Sequence, residues 1–270
     1  MSVATQAFLA SLGRRFSARL KGNVLRLQEY VNLSGRGLAA LVTRPRYDKE
    51  ILAQMDALGV GSLSIVVLTG MFTGMVLALQ SAASLDAFGA RPYVGRLVCV
   101  SMVRELGPVL TALMVTGRVC SGMAAELGSM VVTQQIDALR VLGSDPIRKL
   151  VAPRIAAGLV MVPILTIISD TLGIFGAALI GIFSLKLSWP YYWRSVGSAL
   201  VLNDLVMGLT KPVIFGFILT SIGCYMGLST RGGTRGVGAS TTQSVVAASV
   251  TILASDFFLT KLLLLLFPVV

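Results

Sequence analysis

The sequence predicts an all-α integral membrane protein with an N-terminal interfacial amphipathic helix followed by five transmembrane helices. Hydrophobic residues make up 55% of the 270 residues, and the mean hydropathy is +0.82. Charged residues make up 13%, well below the roughly 25% of a typical soluble domain. The apolar residues are also gathered into five long segments. This composition excludes a disordered chain and most soluble enzymes.

Residues 1–50 form a basic amphipathic segment that we expect to lie on the membrane surface. Residues 1–28 contain five basic residues and no acidic one. Apolar residues recur between them at helical spacing, which is typical of a helix lying on an anionic leaflet. Arginines from position 14 onward interrupt the apolar core that a cleavable signal peptide needs. We therefore predict one or two interfacial helices that end near residues 43–46.

Residues 51–270 are predicted to form a five-span permease-like domain. The third and fourth spans are longer than the ~20 residues that cross a bilayer, so Pro163 and Pro212 are predicted kink points. The five apolar segments lie near residues 58–80, 97–119, 155–183, 196–228 and 240–268.

The distribution of Lys and Arg predicts the orientation in the membrane. Sixteen of the 23 basic residues lie in the N-terminal segment, the 118–154 region and the 229–238 loop, whereas the opposite loops hold four. Basic residues concentrate on the cytoplasmic side, so the N-terminus is predicted to be cytoplasmic and the C-terminus external. The aromatic cluster at 189–193 then lies at the outer interface, where such residues are common.

The residue types exclude several kinds of active site. The chain has no histidine, and its three cysteines lack CxxC spacing, which argues against His-dependent catalysis, a His metal site and a disulfide framework. Residues 233–240 have the glycine spacing of a phosphate-binding loop, but Ala239 stands where a lysine is required. We interpret this stretch as a flexible cytoplasmic loop. The chain is therefore expected to have no catalytic residues, no metal site and no nucleotide site of its own.

Four charged residues fall inside predicted spans. Arg104 and Glu105 lie in the second span, Lys211 in the fourth and Asp256 in the fifth. An ionisable side chain at the bilayer centre costs at least ~3 kcal/mol and must face a partner or water. Two positive and two negative charges compensate each other if all four converge. They would form either an interhelical ion-pair lock or a polar gate in a translocation cavity, and the sequence leaves both open.

Small residues recur at close-packing intervals in the spans. Gly70 and Gly74 form a GxxxG element in the first span, and Gly173 and Gly176 lie in the third. Such residues let helix backbones approach closely. The pattern favours packing within one chain, with a dimer interface as the alternative.

A short amphipathic helix is predicted near residues 132–142, in the largest cytoplasmic loop. It is either an interfacial anchor or a docking element, and its polarity favours docking. Its apolar face, Ile136, Leu139 and Leu142, would seat in a partner's groove, with Asp137 and Arg140 at the rim. The docking residues are Gln134, Gln135, Ile136, Asp137, Leu139, Arg140 and Leu142.

Two long motifs resemble the MlaE family, the permease subunits of lipid-transporting ABC systems. They are RELGPVLTALMVTGRVCSGMAAELGSM and VTQQIDALRVLGSDPIRKLVAPR, and TKPVIFG and SDFFLTKLL add to the resemblance, which covers roughly residues 45–268. It implies a homodimeric, multi-pass permease of the bacterial inner membrane. Such a permease moves phospholipid or a related lipid between the inner and outer membranes and so bears on outer-membrane lipid asymmetry.

The resemblance also implies partners. Two cytoplasmic ATPase subunits, which hold the ATP and magnesium, would bind the short helix near residues 132–142. A periplasmic MCE-domain lipid-binding protein would cap the other side, and a small STAS-domain protein is often present. No cofactor is expected in this chain, and no nucleic acid is expected as a partner.

The resemblance also assigns roles to individual residues. At one position the chain departs from the family: Gln134 stands where the family often has a glutamate, which removes a charge from the short helix near residues 132–142. Arg104, Glu105, Lys211 and Asp256 match the family's membrane-embedded polar positions, and Leu77, Leu85 and Phe88 align near the lipid cavity.

Two other functions remain open from the residues alone. One is an ion-coupled secondary transporter or channel that uses the same four embedded charges. The other is a membrane enzyme acting on lipid, which the lack of histidine and of a metal-ligand cluster disfavours.

Overall fold

The computed structural model describes residues 3–43 and 47–266, without the side chains of residues 3–20 and 23. These residues form eight helices and no strand. The helices are α1 (Val3–Val42), α2 (Asp48–Asp86), α3 (Arg91–Val132), α4 (Gln135–Val141), α5 (Ile147–Phe183), α6 (Trp189–Ala199), α7 (Leu202–Leu228) and α8 (Gly233–Leu266). Five of them, α2, α3, α5, α7 and α8, are long and apolar enough to cross a membrane, which confirms the predicted fold class.

The predicted start of the fourth span is wrong. Residues 196–199 belong to α6, and α7 begins only at Leu202. Leu200 and Val201 are extended between the two helices. The Asp204 carboxylate accepts a hydrogen bond from the Val201 backbone N–H at 3.4 Å, so it satisfies a backbone donor at the start of α7. This local capping separates two helices that hydropathy alone merges into one segment.

The loop predicted at residues 233–240 is also wrong, because these residues form the first turns of α8. Gly232 and Gly233 have positive φ angles of 91° and 67°, a conformation that glycine adopts without steric cost. The chain turns between α7 and α8 at residues 229–232, and α8 begins at Gly233. Beyond them the backbone is helical, which is not the geometry of a phosphate-binding loop.

Helix α1 is continuous and lies at the same end of the bundle as α4. The hydroxyls of Tyr30 and Ser221 are hydrogen-bonded at 2.9 Å, and Arg36 forms an ion pair with Asp145 at 3.3 Å. The predicted apolar positions at 8–20 lie outside the described side chains. Further along α1, Val24, Leu25, Leu27 and Val31 are each more than half exposed. Its interfacial position stays a prediction. We call this end of the bundle inner and the end that carries α6 outer, following the predicted orientation.

Helices α2 and α5 pack closely through small residues. A Cβ atom added to Gly70 would lie 2.7 Å from the backbone oxygen of Ser169, and one added to Gly74 would lie 2.7 Å from Cα of Gly173. Neither distance is possible without moving the helices apart. The GxxxG element in α2 therefore packs two helices of the same chain.

Gly74→Ala is expected to destabilise the protein by about 1–3 kcal/mol, as overpacking of a tight contact does. The matched control is Gly122→Ala, because a Cβ atom there meets nothing within 4 Å. Thermal unfolding in detergent micelles measures the difference. Equal melting temperatures for the two variants would show that the close α2–α5 contact is not under steric constraint.

Apolar side chains fill the centre of the bundle. Leu58, Val66, Phe215 and Ile252, from α2, α7 and α8, belong to its largest buried cluster. The three cysteines are free and buried, so they serve as small packing residues. This core fixes the relative positions of α3, α7 and α8, the helices that carry the embedded charges.

Candidate functional site

Helix α3 contains a π-helical turn, Met102–Leu106, that carries Arg104 and Glu105. Such turns are rare, and they are frequent at functional sites. On α7, Asp204 and Lys211 are seven residues apart, which places them two turns apart on one helix face. Arg104 and Glu105 are adjacent on α3, but they reach two different partners on α7. Arg104 pairs with Asp204, and Glu105 pairs with Lys211.

The Lys211 side chain is only 2% exposed and lies at the centre of a charged network. Its ammonium group donates hydrogen bonds to Glu105 Oε2 at 2.5 Å and to the backbone oxygen of Arg104 at 3.0 Å. Nζ also lies 3.1 Å from Asp256 Oδ1, as an ion pair without hydrogen-bond geometry. One buried cation therefore holds carboxylates from α3 and α8 against α7.

Glu105 connects this network to open space. Its side chain is 42% exposed, and Thr260 on α8 donates a hydrogen bond to its Oε1 at 3.2 Å. It lines a cavity of about 250 Å³ together with Lys211 and Thr260. A buried cation beside a partly exposed carboxylate gives this cavity a polar wall among apolar helices.

Arg104 does not join the other three charges. Its guanidinium binds Asp204 Oδ1 through Nε at 2.6 Å and through Nη2 at 2.5 Å, and Asp204 is 1% exposed. The expected convergence of four side chains is therefore correct for Glu105, Lys211 and Asp256 and wrong for the Arg104 side chain. The Lys211 network and the neighbouring Arg104–Asp204 pair together contain two basic and three acidic groups, rather than the balanced set of two and two.

Sequence reasoning missed Asp204 and Thr260. A signal for Asp204 was present, because it lies seven residues before Lys211 on the same face of a span. Thr260 follows Asp256 by four residues and so also shares its face. Neither residue stands out by composition, since Asp204 lies at the polar end of a span and threonine is common in such helices.

The three residues aligned with a lipid cavity lie in different environments. Leu77 lines a groove of about 370 Å³ between α2 and α3, beside Phe72 and Leu106. Leu85 is partly buried against the core beneath α6. Phe88 follows the end of α2 and is 82% exposed. The structure does not bring the three into one pocket, and lipid contact by each stays a prediction.

Helix α4 occupies the predicted position, but its apolar residues do not form one outward face. Ile136 is 5% exposed and packs into its own chain, whereas Leu142 is 78% exposed. Leu139 is intermediate. Ile136 is therefore not exposed for docking in the isolated chain, and its seating in a partner's groove stays a prediction. A charge introduced at Ile136 would disturb this chain's own packing. Val141, 89% exposed, was missed.

The polar residues of α4 are exposed. Gln134 has a left-handed backbone, with φ of 59°, and Gln135 follows it as the first helical residue. Asp137 and Arg140 pair with each other at 3.0 Å on the surface. Pairs of this kind contribute little to stability, so both side chains remain free to exchange partners.

A cavity of about 460 Å³ separates α4 from α1 and the inner end of α7. Ile136, Leu33 and Leu228 form its apolar lining. The Arg36–Asp145 ion pair joins α1 to the turn after α4. The segment that contains α4 is thus connected to α1 through this pair and to α5 through the turn at its end.

Comparison with known proteins shows consistent similarity over the five spans. Residues 51–262 match the family model described as Permease MlaE. The chain is 37% identical to the intermembrane phospholipid transport system permease protein MlaE of Haemophilus influenzae, over 83% of this chain and 87% of that protein.

Similar proteins also occur in other organisms. A probable ABC transporter permease protein of Rickettsia typhi is 41% identical, over 84% of this chain and 87% of the relative. The chloroplastic protein TRIGALACTOSYLDIACYLGLYCEROL 1 of Arabidopsis thaliana is 38% identical, over 79% of this chain and 61% of its own length.

Proposed function

Because the chain belongs to the MlaE permease family, we propose that it is the membrane-spanning permease of an ABC transporter that moves phospholipid or a related lipid between the inner and outer membranes. The observation that carries this proposal is the family match over residues 51–262, which includes parts of all five long apolar helices. No comparison supports the ion-coupled alternative. The protein is a multi-pass membrane protein, and we place it in a bacterial inner membrane.

ATP and magnesium are assigned to a separate cytoplasmic ATPase. The chain's one phosphate-loop-like stretch has Ala239 in place of lysine and begins a helix, so it lacks the charge that binds phosphates. Extracting a lipid opposes the hydrophobic effect by ~0.8 kcal/mol for each exposed CH₂ group. The work must therefore reach the permease through a protein contact, for which α4 is the proposed element.

A homodimer is proposed from the exposed apolar surface of α8. Only 11% of its most apolar window is buried inside the chain. Val246, Val250, Leu253 and Phe257 recur every three or four residues and are each more than half exposed, which makes one continuous helix face. A second copy packed on this face would place two sets of embedded charges near one central path.

The remaining partners follow the family assignment. A periplasmic MCE-domain protein would receive or deliver the lipid at the outer end, near α6. A STAS-domain protein would bind the ATPase at the inner end. The embedded network and the groove beside Leu77 would form parts of the lipid path, since a headgroup requires polar contacts that acyl chains do not.

Reconstitution tests the proposal. The chain is co-expressed with an ABC ATPase and an MCE-domain protein encoded beside it, and the purified assembly is placed in liposomes that contain a fluorescent phospholipid. We expect lipid transfer to the MCE-domain protein that requires ATP and is lost with an ATPase unable to hydrolyse it. Transfer that follows an ion gradient without ATP would contradict the proposal and favour the ion-coupled alternative.

A further inference from the structure

We propose that the outer end of α3 carries a phosphate site at Arg96, which holds the headgroup phosphate of a phospholipid. The proposal rests on the proposed function and deepens it, because it locates a binding site for the same class of substrate. The site lies outward of Lys211, and its inner wall includes the Arg104–Asp204 ion pair described above.

The site is a cavity of about 420 Å³ between the start of α3 and the junction of α6 and α7. Arg96 and Tyr93 line it from the first turns of α3, and Ser101 lines it further inward. These side chains provide guanidinium and hydroxyl donors, the groups that bind phosphate oxygens. The cavity therefore has the donors for an anion at its outer side.

The charges in this cavity do not balance. It contains two arginines, Arg96 and Arg104, and one carboxylate, Asp204. Asp204 is occupied by Arg104 at 2.5 Å. Arg96 is exposed, and within the described part of the chain it has no acidic partner. The cavity thus presents one uncompensated positive charge, which attracts an anion.

The depth of Arg96 fits a lipid phosphate. Arg104 lies level with Lys211, since its backbone oxygen accepts the Lys211 hydrogen bond, and Lys211 lies well inside α7. Eight residues of helix separate Arg96 from Arg104, or about 12 Å at about 1.5 Å per residue. Arg96 lies five residues after Arg91, where α3 begins at the outer end of the bundle, or about 8 Å along the helix. Arg96 is therefore placed near the outer end of its span, where headgroup phosphates lie.

The walls of the cavity favour a lipid over a free phosphate ion. Leu97 is 40% exposed and Val201 is 57% exposed, and both line the cavity next to the arginine. Apolar side chains at this position can cover the first part of an acyl chain, whereas inorganic phosphate gains nothing from them. A cation beside an apolar wall is complementary to the phosphate and glycerol end of a phospholipid.

A photocrosslinking experiment tests the site. Leu97 is replaced by a photoreactive phenylalanine analogue in the assembled transporter, in phosphatidylcholine nanodiscs without ATP. Tritiated phosphatidylglycerol and tritiated diacylglycerol are the two probes, which differ in the phosphate headgroup. We expect phosphatidylglycerol to label the protein about tenfold more than diacylglycerol does, the size of effect that a charge-assisted hydrogen bond produces. Arg96→Gln should remove that preference, and Arg96→Lys should keep most of it.

Arg91→Gln is the matched control. Arg91 lies at the same end of α3, is exposed, and is paired with Asp86, but it does not line the cavity. We expect this variant to label like the parent protein. An equal loss in Arg91→Gln and Arg96→Gln would mean that surface charge only attracts bulk lipid, which overturns the proposal.

Two further outcomes would also overturn it. Equal labelling by the two probes in the parent protein would show that phosphate is not recognised. Displacement of the label by excess inorganic phosphate would assign the site to the free ion instead of the lipid. Labelling is measured without ATP, so a negative labelling result does not count against ATP-dependent lipid transfer. In the same way, a loss of ATP-dependent lipid transfer does not change the labelling result.

Discussion

Replacing Lys211 by methionine should destabilise the protein by about 3–5 kcal/mol, the usual cost of removing one partner from a buried ion pair, and should abolish lipid transport. The side chain is 2% exposed and contacts both Glu105 and Asp256. Without it, the partly buried Asp256 carboxylate and the more exposed Glu105 carboxylate lie together with no cation between them. Thermal unfolding of the purified protein and ATP-dependent lipid transfer measure the two effects.

The matched control is Lys261→Met. Lys261 is the same residue type, lies five residues after Asp256 on α8, and is exposed. We expect it to change neither stability nor transport substantially. Comparable losses in Lys211→Met and Lys261→Met would show that the buried network has no special role.

A triple variant distinguishes the two roles of the embedded charges that the sequence leaves open, an interhelical ion-pair lock and a polar gate. Lys211→Met combined with Glu105→Gln and Asp256→Asn removes all three charges, and such neutral replacements often restore stability. If transport returns together with stability, the network is an interhelical lock. If stability returns and transport does not, the charges act on the lipid path. Glu105→Gln alone should then impair transport more than Leu106→Ile.

Leu142→Asp should detach the ATPase and abolish ATP-driven transport while leaving the permease folded. Leu142 is 78% exposed at the end of α4, so an aspartate there remains in water in the isolated permease. In a complex it would place an uncompensated charge in an apolar groove, a large energetic penalty. Co-purification of the ATPase and its turnover in the purified complex provide the measurement.

Leu142→Met serves as the control, because it keeps an apolar side chain of similar volume at the same position. We expect it to retain the ATPase. Ile136→Asp is a poor test of docking, since Ile136 is 5% exposed and the charge would disturb the contacts between α4 and its own chain. Full ATPase retention and normal turnover in Leu142→Asp would mean that coupling uses another contact, and α1 is the next candidate.

The fold class could be predicted from the sequence because membrane insertion depends on local hydropathy. The five long apolar segments are found by averaging hydropathy over short stretches of the chain, and this needs no knowledge of which helices are neighbours. The same holds for the four charges inside the spans. The transport function was predicted from the family motifs. A motif identifies related proteins even where the partners of its residues cannot be seen in a single sequence.

The tertiary structure decided which of these residues meet. Hydropathy and spacing give the positions along a helix, but they do not give the direction in which each helix faces its neighbours. The π-helical turn at Met102–Leu106 directs Arg104 to Asp204 and Glu105 to Lys211. Helix α4 likewise turns Ile136 toward the cavity that it shares with α1 and α7 and leaves Leu142 exposed. The sequence by itself determined the helices and their charges, whereas the rotation of each helix about its axis, set by contacts between distant segments, determined the pairs.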